Sequence, residues 1–226
     1  MTLQQLLFDP VEFFRTDRED WLGAGLAVLA LSTVSLGSLL VPIVLLAATG
    51  ADLGFIEAFP TVRYVAGEAR VVLDGRSLGA VVVVFLAPAL LLGLYALLLH
   101  ALSWPLADRG TLGETARVVG WGAVPLTGAS LLTLGATMLT IPLDFQRVGY
   151  AYVTLTGRTI VQRSDPTLLF LVVNVLGLVF VCWMGVVWVV GLAETRGLSR
   201  RKAGVLVAVP LALAVANNLG SVLYGL

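Results

Sequence analysis

The sequence predicts an all-α membrane protein: a bundle of five transmembrane helices with a small extracellular β-hairpin or sheet formed by loops 1–2 and 3–4. Composition is the first reason. Of 226 residues, 58% are hydrophobic and only 12% charged, whereas a soluble domain carries about a quarter charged residues on its wet surface. The placement of charge is the second. All 14 cations and all 14 acids fall outside five intervals: Trp21–Ala51, Ser77–Ala107, Val118–Leu143, Pro166–Ala193 and Ala203–Leu226. Each interval exceeds the roughly 20 residues that carry an α-helix across about 30 Å of hydrocarbon. Only a helix closes its own backbone hydrogen bonds where water is absent.

Residues 1–20 read as short interfacial helices within a single membrane domain, 1–226. Leu3, Leu6, Leu7, Val11, Phe13 and Phe14 give them an apolar side, and Asp9-Pro10-Val11-Glu12 outlines a capping box with Pro at the first helical position. Five acids before residue 21 are unlike a cleaved secretory signal, which begins basic. The spans are expected at about 21–48, 78–102, 116–142, 167–193 and 202–225. Prolines 42, 88, 125 and 210 predict bends in four of them. Between spans, the segments at about 60–76 and 148–163 are rich in β-branched residues and punctuated by glycine. A lone hairpin is marginal in water, so the two loops are expected to pair into one sheet outside the membrane. In the last span Gly204, Ala208, Ala212, Ala216 and Gly220 recur every fourth residue. Such a ladder lets helix backbones approach closely, and packing within the molecule is preferred here to a homodimer seam.

Five spans place the termini on opposite faces. The N-terminal segment, loop 2–3 and loop 4–5 share one face and hold eight of the Lys and Arg residues, against six on the other. The positive-inside rule then sets the N-terminus in the cytoplasm and the C-terminus outside the cell membrane.

Nothing in the chain has the outline of an enzyme, a cofactor site or a metal site. The spans lack the ionised residues that mark proton relays and ion paths. Cys182 stands alone, and one histidine, His100, leaves little room for a Ser–His pair. His100 reads as a cap or headgroup contact at the inner end of helix two. Asn174 in helix four and Asn217 and Asn218 in helix five are the deepest strong polar groups, with Asn174 and Asn217 at similar depth. An interhelical amide bond worth about 1 kcal/mol explains them more simply than a substrate site. Loop 4–5 gathers Arg196, Arg200, Arg201 and Lys202. On the inner face these cations fix topology and attract anionic headgroups, by about 1 kcal/mol each. The expected partners are therefore the lipid bilayer, its anionic headgroups and other membrane proteins; neutral net charge gives no pull toward nucleic acid.

Three stretches, LLFDPVEFFR (6–15), ADRGTLGETARVVGWGAVP (107–125) and GLAETRGLSRRKAGVLVAVP (191–210), resemble the Yip1-domain membrane proteins in their bacterial and archaeal form. The first is similar to that family's opening motif, the second to its short loop and third span, the third to the approach to its last span. Arg109-Gly110 stands where the family tends toward paired glycines, and Trp121 where it tends toward tyrosine. The resemblance implies five-span topology. GTPase binding is not carried over, because the N-terminal domain that provides it in eukaryotic relatives has no counterpart in this sequence. A non-enzymatic membrane scaffold is the expected function; the alternative is a transporter or permease subunit with a polar site near Asn174 and Asn217.

Overall fold

The computed structural model describes residues 3–16, 21–48, 61–65, 68–72, 75–144, 150–155, 158–163 and 168–223. Two short helices, α1 (Leu3–Phe8) and α2 (Pro10–Thr16), lead into α3 (Trp21–Ala48). The hairpin β1 (Thr61–Val65) and β2 (Glu68–Val72) connects to α4 (Gly75–Ser103), and a 3-10 turn at Trp104–Leu106 follows. Next come α5 (Leu112–Trp121) and α6 (Ala123–Asp144), then a second hairpin, β3 (Tyr150–Leu155) and β4 (Arg158–Arg163), and finally α7 (Leu168–Arg196) and α8 (Arg200–Leu223).

The helices form a bundle with an apolar exterior. Leu22, Leu90, Leu94, Leu139 and Val205 all present their side chains outward. Only 22% of the apolar stretch of α4 is buried, which is tenable where the surroundings are lipid. Four stretches among the described residues are long and apolar enough to span: Trp21–Val41, Val81–Leu106, Leu112–Leu139 and Leu171–Arg196. The expected count of five is thus four here. The helix α8, whose first turn holds Arg200, Arg201 and Lys202, is not among these four.

The single joined sheet is not formed among the described residues. Each of these two loops folds on itself into a separate antiparallel pair, β1 with β2 and β3 with β4. Strand β4 instead lies against α6 and α3, so contact with the bundle supplies the support that the joined sheet was expected to give.

The third span is broken between α5 and α6. Pro125 has no N–H to bond Trp121, and its ring crowds that residue's carbonyl. The break is used. Trp188 of α7, fully buried, lays its indole against Gly122, and its Nε1–H donates to the Val119 carbonyl at 3.3 Å. A methyl group at residue 122 would collide with that ring.

Several hydroxyl-bearing side chains lie inside the bundle. Ser32, Ser35 and Ser38 of α3 and Ser130, Thr133 and Thr137 of α6 are all buried, and α3 and α6 pack on each other. Several hydroxyls donate back along their own helix, as Ser38 to Val34 at 2.9 Å and Thr137 to Thr133 at 2.8 Å. Small hydroxyl side chains suit close helix approach in lipid.

The small-residue ladder of α8 does not pack inside the molecule as expected. Ala208, Ala212 and Ala216 are exposed, and Gly204 faces open space. The buried stripe is Ala203, Val207, Pro210 and Ala214, which turns toward α7 and α4.

Candidate interfacial site

The three motifs, far apart in sequence, meet at one end of the bundle. From the first come Phe13 and Phe14 of α2, both buried. Phe13 meets Trp121 of the second motif edge-on, with centroids 4.9 Å apart, and Phe14 in the same way at 5.2 Å. Each such pair adds about 0.5–1.5 kcal/mol beyond the area it buries. Phe14 and Val118 fill the space over Gly191, at the start of the third motif, and leave no room for a side chain there. Arg15 then reaches Glu194, with Nε 3.2 Å and Nη2 3.4 Å from the two carboxylate oxygens. As an exposed pair it stabilises by only about 0–1 kcal/mol, so buried packing does most to hold α2: Phe14 against Gly191 of α7 and Phe13 against Trp121 of α5.

The second motif begins with a turn and a capped helix. Gly110 adopts φ +95°, a conformation open to glycine and strained for other residues. Thr111 caps α5: its hydroxyl accepts from the Glu114 N–H at 3.2 Å, and the Glu114 carboxylate accepts from the Thr111 N–H at 2.6 Å. This reciprocal box satisfies two donors that the helix start would otherwise leave open.

Arg196 ties that turn to α7 and α4. Its side chain is 2% exposed; Nε donates to Ser103 Oγ at 3.2 Å, and Nη1 donates to the Gly110 carbonyl. The helix stops directly after it. Gly197 has φ +67°, and the Leu198 N–H returns to the Ala193 carbonyl at 3.1 Å, a Schellman ending. Nearby, His100 Nδ1 lies 3.3 Å from Thr115 Oγ1, which makes His100 part of the packing between α4 and α5.

These positions separate the four cations of loop 4–5. Arg196 is an internal brace, drawn away from headgroups by its buried hydrogen bonds. Arg200, Arg201 and Lys202 are exposed at the start of α8. Their turn is capped by Ser199, whose Oγ accepts from the Lys202 N–H at 3.4 Å. Asn174 is half-buried in α7; Asn217 and Asn218 belong to α8, and their side chains lie outside the described residues.

Two cavities flank the motif junction. One, about 110 Å³, is polar and is bounded by Phe14, Arg109, Gly110, Glu114, Arg117 and Glu194. Sequence reasoning missed Arg117, which is 1% exposed; the signal was a lone cation four residues before Trp121, directly before a charge-free run. The other, about 550 Å³, is an apolar groove between α3, α6 and Phe180 of α7, reaching Leu7 and Trp121. Neither has Asn174 in its wall. Among the described residues, no group of three or more His, Cys, Asp or Glu is placed to hold a metal ion.

The Yip1 domain model matches residues 5–217. The chain belongs to the Yip1 domain family. The matched region takes in all three motifs and the junction they build. No curated protein and no solved structure matches the chain.

Proposed function

We propose that this Yip1-domain protein is a non-enzymatic membrane organiser of the cell membrane. In this reading α8 is a fifth span, the motif junction faces the cytoplasm, and the two hairpins face outward. One observation carries it: the family motifs are spent on closing the inner end of the bundle, with α2 packed on α7 and Arg196 bracing the loop before α5. That is an arrangement for holding a shape, with helices and exposed side chains offered at the membrane surface.

The exposed basic turn supports the same reading. Arg200, Arg201 and Lys202 stand in the first turn of α8, where the positive end of the helix dipole disfavours cations by a few tenths of a kcal/mol or more each. An anionic headgroup at that place is attracted by both the side chains and the dipole. The alternative is a permease with a polar site near Asn174 and Asn217; neither of the two cavities that flank the junction includes Asn174.

Purification of the full chain in mild detergent, with identification of co-purifying proteins and lipids, tests the proposal. A stoichiometric membrane-protein partner that survives purification is the expected result. A chain that purifies alone and conducts solute across sealed vesicles would replace the organiser with the permease.

A further inference from the structure

We infer that the 110 Å³ cavity at the motif junction is a binding site for a single phosphate group, either lipid phosphodiester or free phosphate. Its size admits a group equal to about three or four waters, which suits one phosphate and excludes a nucleotide or a sugar. Arg117 is buried in its wall, and Arg109 lies at the exposed side.

The two acids in the wall are already engaged. Glu114 accepts from the Thr111 N–H at 2.6 Å and from its hydroxyl at 3.3 Å, and the Glu194 carboxylate is held by Arg15 at 3.2 Å. Arg109 gives one hydrogen bond, from Nη2 to the Glu194 main-chain carbonyl at 3.1 Å, and forms no ion pair among the described residues. A guanidinium carries five donors in a planar fork that matches phosphate oxygens, so Arg109 keeps donors to offer.

The cavity wall carries Arg109 and Arg117 against Glu114 and Glu194, and because both carboxylates already accept hydrogen bonds, the donors of Arg109 are left to attract an anion. The first turn of α5 borders the cavity through Glu114, with Gly110 just before the Thr111 cap, adding the positive end of a helix dipole. This site uses other side chains than the basic turn of α8, so each can fail without the other.

The full chain, purified in a phosphate-free maltoside detergent, is titrated with inorganic phosphate and, separately, with dihexanoyl phosphatidylglycerol. Binding is read from the shift in thermal midpoint and from phosphorus NMR line width. Saturable binding of at least one probe is expected, with a component that is weakened roughly tenfold in Arg109→Gln and that persists in the triple variant Arg200→Gln, Arg201→Gln, Lys202→Gln, which removes only the headgroup attraction at the start of α8. Arg109 is exposed, so its replacement leaves the fold intact. Binding of the lipid probe alone assigns the site to headgroups; comparable binding of inorganic phosphate assigns it to the free anion. Absence of saturable binding by both probes overturns the inference. So does binding lost in the triple variant and kept in Arg109→Gln.

Discussion

At the scale of single residues, the junction depends on two groups that have no substitutes. Gly110 combines positive φ with close contact: an added Cβ would lie 2.9 Å from the Thr195 carbonyl oxygen and 2.9 Å from Arg196 Cδ. Gly110→Ala should therefore lower unfolding stability by about 1–3 kcal/mol, measured as a fall in the thermal midpoint in detergent; an unchanged midpoint would show that the turn is not strained. Arg196→Lys keeps the charge but loses the fork that spans Ser103 Oγ and the Gly110 carbonyl. A loss of about 1.5–3 kcal/mol is expected, and stability equal to the parent would reduce Arg196 to a surface cation. The sequence made the cluster of cations around residue 200 plain but concealed this division of labour. Counting charges cannot tell which one turns inward. The clue was Gly197, which ends α7 directly after Arg196 and so sets it at the last turn, beside the loop it braces.

At the scale of elements, lipid makes some features readable and hides others. Charge-free runs longer than a bilayer have one stable fate, so α3, α4, α6 and α7 follow from the sequence, and Pro125 announces the break before α6. Neighbour choice is another matter. A row of small residues shows that close approach is possible, yet hydrophobicity cannot select the buried face when both sides of the helix meet apolar matter. Hence α8 buries Ala203, Val207 and Ala214 and leaves Ala208 and Ala212 outside. Ala208→Leu with Ala212→Leu should shift stability by no more than about 0.5 kcal/mol, as exposed substitutions do. A drop of several kcal/mol would mean that the ladder is packed after all. The loops repeat the lesson: β-branched runs speak for extended strands, but the partner of a strand is a tertiary decision, and here β4 lies on α6 and α3.

For the whole molecule, the deciding question is which end faces the cytoplasm and whether α8 crosses. Cations are divided unevenly between the two ends of the chain's spans: the junction and the basic turn share one end, while the hairpins β1–β2 and β3–β4 connect spans at the other. With five crossings, residue 4 and residue 225 lie on opposite faces; with four, they share one. Replacing Cys182 by Ser gives a background in which Gln4→Cys or Gly225→Cys is the sole thiol. A membrane-impermeant maleimide applied to intact cells should label position 225 and spare position 4 until the membrane is opened. The expected pattern rests on eight cations at the inner end against six, a modest bias, so it should also be breakable. Removing the three cations of the basic turn leaves five against six and should give a mixed orientation, seen as partial labelling at both positions. Labelling of both sites together in the parent would place α8 along the membrane surface, with Arg200, Arg201 and Lys202 still held at the headgroups and the bundle reduced to four spans.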